Sequence, residues 1–226
     1  MPLSPSAPAA LLLALLLIPA TSSAFEVCKE AKDPASFAPH DRWAVVADQG
    51  RDGWIFAKGE LLVPGDLGPA AGPLGRLAVA LKARGVTPFL VDVPGRLAVA
   101  ESKVDPKRDA FQGYRKGAIA ASYARKIAAV ARTGWTTIDV VALATSSGLA
   151  ERMYMDRDHH WSTAGELVVA QDLAARIRAL PTWGSVPKKA FSLRERDVAY
   201  SGTYRFIVVD KCKVEIPASP SIAYKA

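Results

Sequence analysis

Two carboxylates and two imidazoles lie within five consecutive positions of this 226-residue chain, from Asp156 to His160. Asp158 and His160 are separated by one residue, which suits a carboxylate that accepts a hydrogen bond from one ring nitrogen and fixes the tautomer. The other ring nitrogen can then take a proton from a hydroxyl nucleophile. Asp158 and His160 are therefore candidate catalytic residues, with His160 as the base.

Two other interpretations of this polar segment stay open. The first is a loop that caps a helix, with its acidic residues paired to Arg152 or Arg157. The second is a metal site built from Asp156, Asp158 and His160. The metal interpretation is the weaker one, because the chain contains only three His and neither of its two Cys lies at ligand spacing. We expect no metal and no other cofactor.

A helix is expected directly after the polar segment. Thr163 and Glu166 have the T-x-x-E spacing of a capping box, which predicts Thr163 as the N-cap. Apolar residues then recur at helical spacing until Pro181 ends the helix: Leu167, Ala170, Leu173, Ala174, Ile177 and Leu180. The polar segment thus occupies a loop held by a helix with a buried face, a common position for functional residues.

Upstream, apolar strand-like segments alternate with amphipathic helices. Strands are predicted near 43–47, 54–56, 87–93 and 135–141, and helices over 74–84 and 119–132. This order predicts an α/β fold in three layers, with a mostly parallel sheet and helices on both faces. After Pro181, β-type residues over 198–209 predict a hairpin or an edge strand. Residues 213–226 are predicted to form a tail, loose from Pro217 onward.

The first 24 residues have a different composition from the rest. They carry no charged side chain, contain a continuous apolar run over 9–18, and place Ser22 and Ala24 where signal peptidase needs small residues. A cleaved secretory signal is predicted over 1–24, with an uncleaved amino-terminal anchor as the alternative. Export would make the protein, with its main domain over 25–212, periplasmic or secreted.

The two cysteines, Cys28 and Cys212, lie near opposite ends of the exported chain. In an oxidising compartment an isolated pair is most simply a disulfide, and two buried free thiols are the alternative. Closing a loop of 184 residues would stabilise the fold by about 4 to 5 kcal/mol on chain-entropy grounds, less any strain.

Three segments together resemble one known family. Residues 158–165 read D-H-H-W-S-T-A-G, which resembles the D-x-H-W-[ST]-x-x-G motif of the alginate O-acetyltransferase family (AlgJ/AlgX type). Residues 50–56, G-R-D-G-W-I-F, are similar to that family's G-x-D-G-W-L-F signature. The Pro94-Gly95-Arg96 segment resembles the family's V-P-x-x-R segment.

The resemblance implies an SGNH-hydrolase-like fold and O-acetyl transfer to an alginate-like exopolysaccharide. It implies Asp158 and His160 as the catalytic pair, with Trp161 packing the loop and contacting substrate, and it supports the pairing of an early with a late cysteine. Arg96 lies at the carboxyl end of a predicted strand, where α/β folds bind ligands, and a guanidinium suits a sugar carboxylate. A solvated Arg on a turn is the alternative.

The family's serine nucleophile follows both the D-x-H-W motif and the second cysteine. After Cys212 the chain has only Ser219 and Ser221, and neither has the flanking glycine that a nucleophile on a tight turn needs. Ser146 and Ser201 do not follow the family's order. The sequence therefore predicts a domain that is incomplete at its C-terminus: a truncated acetyltransferase, or a remnant of one, without its nucleophile.

The net charge of +7 bears on the partner, because a cationic exported domain suits an anionic polymer. Export argues against nucleic acid. The alternative function is a non-catalytic periplasmic component of a biosynthesis complex, which binds acidic exopolysaccharide through Arg96 and a following basic stretch: Lys103, Lys107, Arg108 and Arg115. Other envelope proteins of polysaccharide biosynthesis are the further partners expected.

Overall fold

The structure is a computed structural model that describes residues 25–189 and 194–225; the predicted signal at 1–24 lies outside them. The mixture of helices and strands is confirmed. The helices are α1 Lys29–Lys32, α2 Ala71–Ala83, α3 Ala118–Arg132, α4 Val140–Ser146, α5 Thr163–Arg178 and α6 Thr203–Cys212. The strands are β1 Val46–Gln49, β2 Ile55–Ala57, β3 Phe89–Val91, β4 Thr136–Ile138, β5 Arg194–Tyr200 and β6 Ser219–Lys225. Within the described ranges, no helix has the length and apolar character needed to span a membrane.

In residues 25–189 and 194–225 the strands pair in three two-stranded units, one parallel and two antiparallel. β3 and β4 run parallel in register Phe89↔Thr136 and are joined through α3, which is the strand–helix–strand unit that the sequence predicts. β1 pairs with β2 and β5 with β6 in antiparallel fashion. The mostly parallel sheet is therefore not seen in these residues. The connection from β1 to β2, residues 50–54, is too short for a parallel crossover, which needs about a dozen residues.

The start of α5 lies one residue earlier than the capping-box spacing predicts. Ser162, not Thr163, is the N-cap, and its hydroxyl accepts a hydrogen bond from Gly165 N at 3.0 Å. Thr163 is the first helical residue, and its hydroxyl donates instead to the carbonyl of Ile222 in β6. The helix ends at Arg178, ahead of Pro181 as expected.

The C-terminal region departs most from the prediction. Residues 203–212 form α6 instead of a strand, with Tyr204 and Val208 buried one helical turn apart. The predicted loose tail contains β6, which pairs with β5 over the register Tyr200↔Ser219 to Arg194↔Lys225. β-Branched residues favour strands locally, but burial of the 204/208 face decides the conformation.

Two buried clusters form the core, and β2 contributes to both because alternate strand residues face opposite sides. The larger cluster includes Phe56, Ile119, Met153 and Tyr154. The smaller contains Val27, Ala31, Val46, Ile55, Ala57, Tyr204, Val208 and Ile216. Met153 and Tyr154 directly precede the polar segment, so that segment departs from a rigid, buried point.

The predicted disulfide between Cys28 and Cys212 is present, with the two Cα atoms 5.4 Å apart. It joins the residue that precedes α1 to the last residue of α6. The alternative of two free thiols is thereby excluded.

Candidate active site

Residues 155–162 form a loop ahead of α5, here called the polar loop, whose two ends are hydrogen-bonded to each other. Tyr154 and Trp161 make an isolated antiparallel bridge, Met155 N donates to the carbonyl of His160 at 3.3 Å, and Ser162 N donates to the carbonyl of Met153 at 2.9 Å. The loop therefore has fixed ends, and its polar side chains project from a defined backbone.

The structure brings Asp158 and His160 into direct contact. His160 Nδ1 lies 2.5 Å from Asp158 Oδ1, and the backbone N–H of His160 donates to the same oxygen at 2.8 Å. Asp158 is fully buried, whereas 60% of the His160 side chain is exposed. A buried carboxylate thus holds the ring through Nδ1, while more than half of the side chain is open to solvent.

The second oxygen of Asp158 is held by the C-terminal region. Its Oδ2 accepts from Tyr200 Oη at 2.9 Å and from the backbone N–H of Thr203 at 2.5 Å. Burial raises the pKa of Asp158, but the hydrogen bonds from Thr203, His160 and Tyr200 outweigh burial and hold that pKa well below its ordinary value. An ionised carboxylate at Nδ1 places the ring proton there and leaves Nε2 of His160 as the acceptor.

The N-terminus of α6 binds the loop through backbone groups. Tyr204 N and Arg205 N both donate to the carbonyl of Arg157, at 3.1 and 3.3 Å. Gly202, with φ +72°, allows this approach: a Cβ there would lie 2.4 Å from the Arg157 carbonyl oxygen. The amide that binds Asp158 is therefore presented by the first turn of a helix, which also favours a negative charge.

Arg96 is buried, with 1% of its surface exposed, which corrects its predicted role in binding substrate. Its Nη1 donates to the Ile55 carbonyl at 2.9 Å and to Glu60 Oε2 at 3.2 Å. Its Nη2 donates to the carbonyls of Met155 at 3.0 Å and Asp156 at 2.8 Å. Three convergent carbonyls and one carboxylate engage both terminal nitrogens, whereas the buried Nε has no hydrogen-bond partner among the described residues. The guanidinium is thus enclosed by the protein and does not face a polymer. Arg96 is a positioning residue for the loop.

Aromatic rings enclose the same guanidinium. Its carbon lies 4.7 Å from the Trp54 ring centroid, 5.1 Å from that of Phe56 and 5.6 Å from that of Tyr204. Burial raises the pKa of Glu60 above its ordinary value, against the opposing effect of the Arg96 charge. Arg96 thus joins the 50–56 segment to the polar loop, which explains physically why these motifs occur together.

Trp161 packs the loop. Its Nε1 donates to Tyr154 Oη at 2.9 Å, and the two rings meet edge to face at 6.3 Å. The indole N–H is therefore already used, and contact between Trp161 and a substrate stays a prediction.

The residues of the metal interpretation are not those that the structure brings together. Asp156 accepts from Ser219 Oγ at 2.5 Å and lies near Arg157 Nε at 3.5 Å. The ligand atoms that fall within 4.8 Å of one another belong instead to Asp158, His159 and His160. Both oxygens of Asp158 already accept hydrogen bonds, which a metal ion would have to displace.

Four serines that the sequence raised as nucleophiles, Ser146, Ser201, Ser219 and Ser221, are not hydrogen-bonded to His160. Ser219 donates to Asp156, and Ser201 accepts from Arg205 Nη1 at 2.7 Å. In the part of the chain that the structure describes, no other serine hydroxyl makes this bond either.

Three residues of the site were not predicted from the sequence: Tyr200, Thr203 and Tyr204. Tyr200 and Thr203 bind Asp158 from 42 and 45 residues further along the chain, and no local spacing signals such a contact. The four-residue spacing of Tyr204 and Val208 could have indicated helix α6, but the β-type residues around them favoured a strand.

A buried carboxylate that orients an exposed imidazole, on a loop entering a helix, is the arrangement expected of an SGNH-hydrolase-like protein. Residues 47–220 match the family model described as "SGNH hydrolase-like domain, acetyltransferase AlgX". The chain therefore belongs to this family, as the three sequence motifs predict.

Three known proteins illustrate the likeness. The chain is 25% identical over 195 residues to alginate biosynthesis protein AlgX of Azotobacter vinelandii, covering 84% of this chain and 40% of that protein. It superposes on Pseudomonas aeruginosa AlgX with a TM-score of 0.71 and 20% identity, covering 88% of this chain and 48% of the other. For the O-acetyltransferase domain of Pseudomonas putida AlgJ the TM-score is 0.54 at 18% identity, covering 78% and 63%. The chain thus spans less than half the length of its AlgX relatives.

Proposed function

We propose that this chain is the acetyltransferase-type domain of an exported protein that O-acetylates an alginate-like acidic polysaccharide. His160 is the general base and Asp158 its orienting partner. The observation that carries this proposal is the 2.5 Å contact between His160 Nδ1 and a buried, ionised Asp158, with 60% of the His160 side chain exposed. The family match supports the acyl-transfer chemistry.

In this mechanism Nε2 of His160 takes the proton from a hydroxyl whose oxygen attacks the acyl carbon. The imidazolium that forms is stabilised by the carboxylate of Asp158 and then returns its proton to the leaving group. A sugar hydroxyl as attacking group gives acetyl transfer, and water gives hydrolysis. We assign the acyl-carrying hydroxyl of a Ser-His-Asp mechanism to none of the described serines, because none is hydrogen-bonded to His160.

The class of molecule that accepts the acetyl group is inferred from the net charge of the chain and from its relatives. The chain carries a net charge of +7, which attracts an anionic polymer over a distance. The AlgX relatives are named for alginate biosynthesis. We therefore propose an acidic exopolysaccharide as the acceptor and a periplasmic or secreted location.

A purified chain with His160→Ala is expected to hydrolyse 4-nitrophenyl acetate about 100-fold more slowly than the wild type, because the general base is lost. His40→Ala is the matched control: the His40 side chain is 82% exposed, lies 3.3 Å from Asp41 and is outside the site, so its rate should not change. Release of 4-nitrophenolate at several enzyme concentrations gives the rates. Equal rates for the wild type and His160→Ala would end the claim that this domain is catalytic.

The alternative is a non-catalytic component that binds polymer through basic side chains, but most of these side chains are buried or already paired. Arg96 is buried, Lys103 pairs with Asp52 at 2.7 Å and Glu151 at 2.8 Å, and Arg108 pairs with Asp48 at 3.1 Å. Cations already paired on the protein surface are poor ligands for a polymer, so we do not propose this function.

A further inference from the structure

Trp43 leaves 52% of its surface exposed, and only the ring of His159 lies between it and the candidate base. It lies in the short 3-10 turn Pro39–Ala44, ahead of β1. A single exposed apolar side chain is ordinary in a folded protein. Trp43 differs because its ring continues an exposed row of rings that ends at His160.

The row consists of three rings in contact. The centroids of Trp43 and His159 are 5.0 Å apart, with the planes at 72°, and those of His159 and His160 are 3.8 Å apart. The His159 side chain is 36% exposed and that of His160 is 60% exposed. We call Trp43, His159 and His160 the ring platform.

His159 holds the platform together as an uncharged spacer. Burial, and then the neighbouring His160, lower the pKa of His159 below its ordinary value, so the ring is neutral at neutral pH. Its other side faces Tyr204, with centroids 5.9 Å apart. The spacer is therefore held by the same helix, α6, that supports Asp158.

We propose that the exposed face of Trp43 is a subsite for a sugar ring of the acidic polysaccharide acceptor; this rests on the proposed function and extends it. A pyranose presents C–H groups on its faces and hydroxyl groups around its rim, so it packs on an indole while its hydroxyls stay hydrated. A rigid aromatic ring offers such a contact at a low cost in conformational entropy.

The distances between the rings of the platform suit a subsite that places a neighbouring sugar at His160. Two ring-to-ring steps, of 5.0 and 3.8 Å, separate Trp43 from His160. A chain of sugars that packs on Trp43 therefore presents a neighbouring unit, with its hydroxyls, to Nε2 of His160. The His159 ring lies between Trp43 and His160, so we assign Trp43 to binding of the polymer.

Calorimetric titration of the purified chain with alginate oligosaccharides tests the subsite. Trp43→Ala is expected to raise Kd about tenfold or more, as for truncation of an aromatic anchor. Trp43→Phe, which keeps an aromatic face, should retain most of the affinity. Trp183→Ala is the matched control: Trp183 lies in a different 3-10 turn, Pro181–Ser185, outside the platform, and its loss should leave Kd unchanged.

Each outcome decides the proposal. Absence of saturable binding by the wild type, equal Kd values for the wild type and Trp43→Ala, or an equal loss in Trp43→Phe and Trp43→Ala would overturn it. Because binding is measured without catalysis, a failed His160 test would remove the proposed enzymatic function and leave the subsite standing.

Discussion

Asp158 is a buried charge whose hydrogen-bonding capacity is used in full. The amide of His160 and its ring bind one oxygen, and the hydroxyl of Tyr200 and the amide of Thr203 bind the other. A buried carboxylate without such partners would take up a proton. The same four donors therefore keep Asp158 ionised and direct the His160 ring.

Asp158→Asn is expected to lower the free energy of unfolding by roughly 2 kcal/mol or more at neutral pH, since an amide leaves buried donors without acceptors. The folded-state pKa of Asp158 is depressed, so its stabilising contribution is complete above its unfolded pKa of about 4 and is lost as the pH falls below that value. The difference between wild type and variant should shrink on acidification. Urea unfolding at about pH 7 and about pH 3 measures it.

Asp41→Asn is the control for this experiment, because the Asp41 side chain is half exposed and pairs with the exposed His40. It should change stability little at either pH. A difference in free energy of unfolding between the wild type and Asp158→Asn that instead stays constant as the pH falls is the contrary result. That result would contradict the account in which the four donors stabilise the charge of the carboxylate.

At the residue scale, sequence spacing predicted the contact of Asp158 with His160, because a one-residue separation leaves their side chains within reach. It could not predict Tyr200 or Thr203, whose approach depends on packing of a distant helix. It was wrong for Arg96, because the end of a strand is exposed only if no other segment covers it. Here the carbonyls of Ile55 and Met155 converge on that end.

At the element scale, the start of α5 depends on close backbone packing. A Cβ at Gly165 would lie 2.2 Å from the carbonyl oxygen of Met153, the residue that anchors the polar loop. This contact explains the glycine at the end of the D-x-H-W-[ST]-x-x-G pattern. Glycine is needed there for space, since its φ is not in the left-handed region.

Gly165→Ala is expected to lower the free energy of unfolding by about 1 to 3 kcal/mol, the usual cost of forcing an atom into a packed contact. Gly75→Ala, in the interior of α2, is the matched control with the opposite sign. A Cβ at Gly75 meets its nearest atom at an ordinary 3.7 Å, so alanine should stabilise that helix by up to about 1 kcal/mol. Thermal and urea unfolding of both variants measure the two changes in stability. A Gly75→Ala variant that is less stable than the wild type, while Gly165→Ala is not, would contradict this prediction.

The helices with clear apolar spacing, α2, α3 and α5, were predictable to within a few residues. α4 was missed because its sequence, Val140–Ser146, continues an apolar strand; Asp139 caps it by accepting from Ala142 N at 3.0 Å. α6 was predicted as a strand because Phe206, Ile207 and Val209 favour extended structure. Local preference was overridden in both segments by capping and by burial.

At the scale of the whole molecule, the disulfide closes the chain around the site. Cys212 ends the same helix whose first turn binds Asp158, and Cys28 fastens that end to α1. The sequence could predict this bond from an isolated pair of cysteines together with predicted export. It could not predict that the bond would support the candidate base.

Replacing both Cys28 and Cys212 by Ser is expected to lower the free energy of unfolding by about 2 to 5 kcal/mol, because the unfolded chain regains its freedom. Urea unfolding measures the loss. A reducing agent should bring the wild type to the stability of the double variant and leave the variant unchanged. Wild-type stability that is insensitive to reduction would contradict this account.

The position of Arg96 has a consequence for protein engineering. One guanidinium holds backbone from β2 and from the polar loop, segments about a hundred residues apart in the chain. A peptide with the sequence of residues 155–166, grafted onto an unrelated scaffold, would carry the aspartate and the histidine without the support that aligns them. A graft that keeps the geometry would have to include the polar loop, Arg96, strand β2 and helix α6.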